Sequence, residues 1–291
     1  MLTQVIIILN LPIRNSSSPE HSLPLAGKAS RTPQFPITTP QSPISKAMAT
    51  LEILIPSWPQ IAISYSPGLI EVATTILCQI LGFWLPCTLY LLIDLAFPTF
   101  SNKHKLQSAR RQPTWAAITH CFRRVFTTNL LSTLLHIALN SSTNFQFSFF
   151  TVTPTYPTAR ELATDFIYAL LLRELLFYTV HRTLHHPKLY PCFHKQHHTF
   201  TAPMAFAAQY AHPLEHLLAN VIPVVLPLAL RRVHVLSFAL FLTSMLAETA
   251  SVHSGYEFAG ARKHDLHHEK FRVNYGVIGL LDWVLGTDAV G

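Results

Sequence analysis

Hydrophobic positions in this chain are gathered into long runs. Leu69 to Phe97 carries charge only near its ends, at Glu71 and Asp94, and stops at Pro98. That is longer than the ~20 residues a helix needs to span a bilayer. Val125 to Leu139 is a shorter run, and Leu162 to Val180 is interrupted by Asp165, Arg173 and Glu174. Leu217 to Leu230 and Val233 to Val252 form a last pair, separated by Arg231 and Arg232. The pattern predicts an all-α integral membrane protein, with one crossing at each of the first three runs and a hairpin at the last pair. Before the first run the chain is different. From Asn15 to about Lys46 it is rich in Ser, Thr and Pro, too polar to offset its own ordering entropy. Three regions are therefore expected: a flexible tail over 1–50, N-terminal membrane helices over 69–160, and a C-terminal region over 161–291.

Composition strengthens the membrane reading. The 291 residues are 49% hydrophobic and 12% charged, against about 25% charged in soluble domains. Mean hydropathy is +0.30. These values exclude an ordinary soluble protein and a mostly disordered one. A net charge of +7 could signal nucleic acid, but in so apolar a chain it predicts a basic membrane-facing surface. The basic stretch Lys103, Lys105, Arg110 and Arg111 is expected on the cytoplasmic side. Counting crossings from it puts the dense histidine clusters on that same side, and the sequons at Asn15 and Asn140 on the opposite one.

Histidine carries the chemistry. Of 17 histidines, 13 lie between His181 and His268. Three clusters share one pattern: His181-Arg-Thr-Leu-His185-His186, His194-Lys-Gln-His197-His198 and His264-Asp-Leu-His267-His268. Helix positions three or four apart share a face about 5–6 Å apart, so each cluster can aim several imidazoles at one point. Pro187 ends the first helix near His186. One zinc ion needs three or four protein ligands. Nine clustered histidines, with His212, His216 and His253 nearby, fit two ions better than one. Imidazole suits zinc, copper, iron and nickel alike, so ligand type leaves the metal open. His212 and His216, spaced i, i+4, read equally well as ligands or as partners that orient a ligand. His21, His104, His120, His136 and His234 stand alone and read as non-ligands. The four cysteines form no CxxC pair, which excludes zinc ribbons and thioredoxin-like redox motifs. No G-x-S-x-G, G-x-G-x-x-G, P-loop or H-E-x-x-H pattern occurs. With no flavin or nicotinamide motif, electrons are expected from another protein.

The histidine clusters resemble those of the fatty acid hydroxylase/sterol desaturase superfamily. So do Phe177-Tyr178 before the first cluster, and Phe271, Asn274-Tyr275-Gly276, Asp282 and Gly286-Thr287-Asp288 after the last. Ala202-Pro203, Tyr210-Ala211-His212-Pro213-Leu214-Glu215 and His253-Ser254-Gly255-Tyr256 look most like the C-4 methylsterol oxidases. The resemblance spans about residues 160–288. It implies that 161–291 is the catalytic domain of a multi-pass enzyme of the endoplasmic reticulum. It further implies two iron ions on the cytoplasmic side, with electrons from NAD(P)H through a reductase, often via cytochrome b5. The implied ligands are His181, His185, His186, His194, His197, His198, His264, His267 and His268, joined by His253. Two positions depart from the pattern. Gln209 stands where the methylsterol oxidases carry Glu, and Glu257 stands where some hydroxylases place a second histidine four residues after the equivalent of His253. Glu257 is thus a ligand or a solvated side chain.

The expected activity is O2-dependent hydroxylation of an unactivated C–H bond in a sterol or related lipid or terpenoid. A fatty acyl hydroxylase and a lipid desaturase need no different ligand set. A metal transporter would carry its ionisable residues inside the spans, and the histidine clusters lie outside them. A zinc hydrolase would need neither O2 nor reductant.

Overall fold

A computed structural model of the chain describes residues 56–290. The tail expected over 1–50 lies outside the described residues. Among those described, structure is helical, and β pairing is limited to two isolated bridges, Lys105 with Tyr256 and Thr151 with His234.

A short helix α1 (Trp58–Ser64) leads into α2 (Pro67–Ala96), a continuous helix of 30 residues. Pro67 at its first position needs no hydrogen-bond partner there. Pro86 lies further in, and its missing N–H leaves the carbonyl four residues back without a donor. The helix widens into a π-turn over Ile80–Trp84 just before it. Helix α3 (Pro98–His104) turns the chain, and α4 (Trp115–Ser141) returns it. Thr114 caps α4 by accepting from the Ala117 N–H. Helix α5 (Ala159–Leu184) opens with a capping box between Thr158 and Glu161. Helix α6 (Pro213–Arg231) contains a second π-turn, His216–Val221, which accommodates Pro223 in the same way. Arg232, in the left-handed region at φ 48°, reverses the chain into α7 (Val235–Val252). Helices α8 (Arg262–Lys270) and α9 (Leu280–Val284) complete the described order.

Three of these helices are long and apolar enough to cross a membrane: α2, α6 and α7. The runs at Val125–Leu139 and Leu162–Val180 sit in helices of 27 and 26 residues, but these lack a long enough apolar stretch. Arg123 and Arg124 interrupt α4, and Asp165, Arg173 and Glu174 interrupt α5. Both still present leucine outward, as α2 does: Leu81, Leu89, Leu131, Leu134, Leu171 and Leu175 are all exposed. An apolar surface this extensive is foreign to a water-soluble monomer and suits lipid. Asn140, the asparagine of the second sequon, is buried on α4, where its amide donates to the His136 carbonyl.

Helix α7 packs on α2 and α5 on α6. At Gly82 the first pair comes so close that a Cβ would lie 2.7 Å from the Thr243 carbonyl oxygen. A core of Phe83, Cys87, Cys121, Phe206 and Ala250, among others, fills the space between α2, α4, α7 and the short 3-10 turn Ala205–Gln209. That turn is tied to α2 by the Gln79 amide donating to Gln209 Oε1 at 3.0 Å.

Candidate metal centre

All the clustered histidines that converge come from the ends of these helices and the turns between them. His181 lies in the last turn of α5, and His185 is its C-cap. The chain then makes a π-turn over Tyr190–His194 and a 3-10 turn over His197–Thr199, which supply His194, His197 and His198. His253 is the C-cap of α7, and α8 supplies His264, His267 and His268.

Nine imidazoles form two groups. His181, His185, His194, His198 and His267 make one, and His197, His253, His264 and His268 the other; within each, the ligand atoms lie within 4.8 Å of one another. In the first group His185 Nε2 is 2.9 Å from His194 Nε2, 3.2 Å from His267 Nε2 and 3.3 Å from His198 Nε2. In the second, His264 Nε2 is 2.8 Å from His253 Nε2 and 3.0 Å from His268 Nε2. The groups adjoin, with the His198 and His268 ring centroids 4.5 Å apart. Two of the three His-His doublets are divided between them. His198 and His267 serve the five-membered group, while His197 and His268 serve the four-membered one. Adjacent residues on a helical turn project about 100° apart, so a doublet is suited to two centres.

The opposite ring nitrogens explain the aim. His181 Nδ1 donates to the Tyr275 carbonyl at 2.8 Å, His267 Nδ1 to the Val273 carbonyl at 2.7 Å, and His253 Nδ1 to the Thr249 carbonyl at 2.7 Å. His194 Nδ1 meets the Glu215 carboxylate at 2.7 Å, with both side chains buried. Fixing Nδ1 as a donor leaves Nε2 as a lone pair directed inward. Burial, reinforced by neighbouring rings, keeps these imidazoles neutral. Desolvation pushes His181 and His253 down to about 4 and His185 to about 2. His197, His264, His267 and His268 are driven well below the ordinary histidine range by the same cause.

The donor set fits metal ions. Neutral lone pairs facing one another at 2.8–3.4 Å are mutually unfavourable without a cation between them. Metal–nitrogen bonds of about 2.0–2.1 Å in a tetrahedron put neighbouring nitrogens roughly 3.3 Å apart. His181 Nε2, buried with no hydrogen-bond partner, is a polar atom that such an ion would satisfy.

Four residues that the sequence offered as candidates lie outside both groups. His186 is exposed beyond the end of α5, and its Nδ1 accepts from the Lys188 N–H. His212 caps α6 by accepting from the Leu214 N–H at 3.2 Å and lies edge-on to Phe193. His216 is buried inside α6, with Asn220 as its partner. Glu257 is exposed and pairs with Arg262. The residue that spacing missed is Glu215, between the two unused histidines. A single buried carboxylate three residues after a helix cap carries no periodic signature, so only its contact with His194 reveals it.

These features define a helical protein with three candidate membrane spans and a polyhistidine site of two adjoining groups. The fatty acid hydroxylase family profile matches residues 166–287. Fatty acid hydroxylase ahd1 of Mycosarcoma maydis is 34% identical over 219 residues, covering 72% of this chain and 55% of that one. Fatty acid hydroxylase domain-containing protein 2 of Homo sapiens is 39% identical over 143 residues, covering 46% and 43%. A putative methylsterol monooxygenase of Dictyostelium discoideum is 30% identical over 217 residues, covering 70% of this chain and 80% of that one. The chain belongs to the fatty acid hydroxylase family. It spans about half the length of the first two of these relatives. No solved structure matches it.

Proposed function

We propose that the chain is a membrane-bound monooxygenase that hydroxylates an unactivated C–H bond of a sterol or related lipid. The observation that carries this is the pair of imidazole groups, five and four strong, at the ends of apolar helices. In this reading the region 161–291 is the catalytic domain and the two groups hold two iron ions. Balanced over the reaction, O2, two electrons and two protons convert R–H to R–OH and water. The electrons come from NAD(P)H through a partner reductase, directly or via cytochrome b5. The iron ions would supply reductive cleavage of O2 and oxidation of the C–H bond.

The chain's own residues do the rest. The Tyr275, Val273 and Thr249 carbonyls and the Glu215 carboxylate hold four rings in the tautomer that presents Nε2. The apolar surfaces of α2, α6 and α7 bring a poorly soluble substrate to the site. The basic stretch between Lys103 and Arg111 supports a cytoplasmic placement of the histidines, and with the family it supports the endoplasmic reticulum as the location. The name of the Mycosarcoma maydis relative favours a second reading, a fatty acyl hydroxylase.

Lipid profiling by mass spectrometry tests both. Membranes carrying the intact chain should gain a species heavier by one oxygen, only when O2 is present. Membranes carrying His197→Ala should lack it and bind less iron. A product short of two hydrogens would make the protein a desaturase, and oxygenation that survives His197→Ala would overturn the assignment.

A further inference from the structure

A partly buried ion pair lies beside the metal centre. Arg173 on α5 reaches Glu248 Oε2 on α7 at 3.3 Å, with side-chain exposures of 7% and 33%. Its other terminal nitrogen meets Met245 Sδ at 2.9 Å, and a thioether is a weak acceptor. Both charges line a cavity of about 150 Å3. The same cavity is lined by His253 and His264, both from the four-membered imidazole group, and by none of the five-membered group. The group with fewer protein ligands thus faces open space, as a centre that must admit reactants should.

The dimensions limit what enters. A cavity of about 150 Å3 has room for the head of a lipid, with its apolar remainder outside. Glu248 and His253 are five residues apart on α7, a rise of about 7.5 Å. Anything held by the pair therefore lies near the reacting centre. The charges select further. Lys263 and Asp282 also line the cavity, but Lys263 is paired with Asp288 and Asp282 accepts from the Tyr275 and Gly276 N–H groups. A carboxylate beside Arg173 would face Glu248, whereas a hydroxyl can donate to Glu248 and accept from Arg173, replacing the thioether contact. Charged residues set into an apolar helix bundle are costly and mark substrate paths.

We propose that Arg173 and Glu248 form the polar end of the substrate subsite and select neutral lipids bearing a hydroxyl a few bonds from the carbon that reacts. The inference rests on the hydroxylase reading above, and a binding measurement separates the two. The full chain in membranes is labelled with a photoactivatable, clickable sterol that keeps its free hydroxyl. Three competitors are compared: the parent sterol alcohol, its methyl ether, and oleate. Iron content is measured alongside, as proof that each variant is folded.

The alcohol should displace the probe at a concentration at least about tenfold lower than the ether, because a subsite built around a hydroxyl strongly rejects an analogue lacking it. Oleate should compete poorly. In the double variant Arg173→Met with Glu248→Met, which removes both charges and leaves neither unpaired, the alcohol and ether should become equal with iron unchanged. Should that variant lose iron, Arg173→Leu with Glu248→Leu reads the same ratio, again with neither a charge nor an acceptor left for the hydroxyl. Equal competition in the unaltered chain, a preference that survives in the variants, displacement led by oleate, or labelling that no competitor displaces would each overturn the subsite. Failure of the hydroxylase reading looks different: the hydroxyl preference stands, but the bound sterol gains no oxygen with iron, reductant and O2 supplied.

Discussion

At the scale of single residues, the site is decided by what lies behind each ring. Glu215 is buried against His194 Nδ1 at 2.7 Å. Glu215→Ala should weaken metal binding about 10–100-fold, read by chelator competition; affinity within twofold of the unaltered chain would assign Glu215 a packing role only. Protonation gives a second test. His181 and His253 are held neutral to about pH 4 in the folded protein, against about 6.5 when unfolded. Between those values the unfolded chain binds more protons, so lowering the pH stabilises it. With metal removed, the melting temperature should be highest above about pH 6.5 and fall steadily towards pH 4; a flat profile over that range would contradict neutral burial of these rings. The histidine spacing made eight of the nine convergent rings legible in the sequence, and the family resemblance added His253. It also swept in His186, because the pattern does not show that α5 ends at Leu184 and turns the next ring but one into solvent. His212 and His216 failed for a related reason. Pro213 starts α6 between them and leaves His212 outside the helix as its cap.

At the scale of helices, hydrophobic run length located α2, α6 and α7 to within a few residues, because uninterrupted apolar stretches admit little else. It placed α5 as closely but misjudged α4, whose capped start at Thr114 precedes its apolar run by 11 residues. Caps are local hydrogen-bond signals that a hydropathy window averages away. The π-turns were hidden too, since a proline marks a break without showing that the helix continues through it. Where α2 crosses α7, Gly82 sets the separation. Gly82→Ala should raise helix propensity by about 1 kcal/mol, yet the added Cβ would meet the Thr243 oxygen at 2.7 Å and Leu246 Cβ at 2.9 Å. Overpacking costs about 1–3 kcal/mol, so the clash should win and lower the melting temperature in detergent. A rise would show that the two helices are less tightly apposed.

At the scale of the whole molecule, the C-terminal segment locks the site from behind. Glu174 on α5 accepts from the Val277, Ile278 and Leu281 N–H groups, and Asp282 accepts from those of Tyr275 and Gly276. This holds the Tyr275 carbonyl against His181. Glu174→Ala would leave part-buried donors unpaired, at up to about 1–3 kcal/mol each, and metal content should drop although no clustered histidine has been touched; full metal loading would detach the segment from the histidine site. The division of the doublets reaches further still. His197 and His198, like His267 and His268, are joined by one peptide bond yet belong to different groups. Consecutive Cα atoms are fixed about 3.8 Å apart, so two covalent struts tie the centres together. With an ion in each group, as proposed, ordering the backbone around the five-membered group would also order half of the four-membered one. Filling should be cooperative, with the half-loaded protein scarce throughout a metal titration.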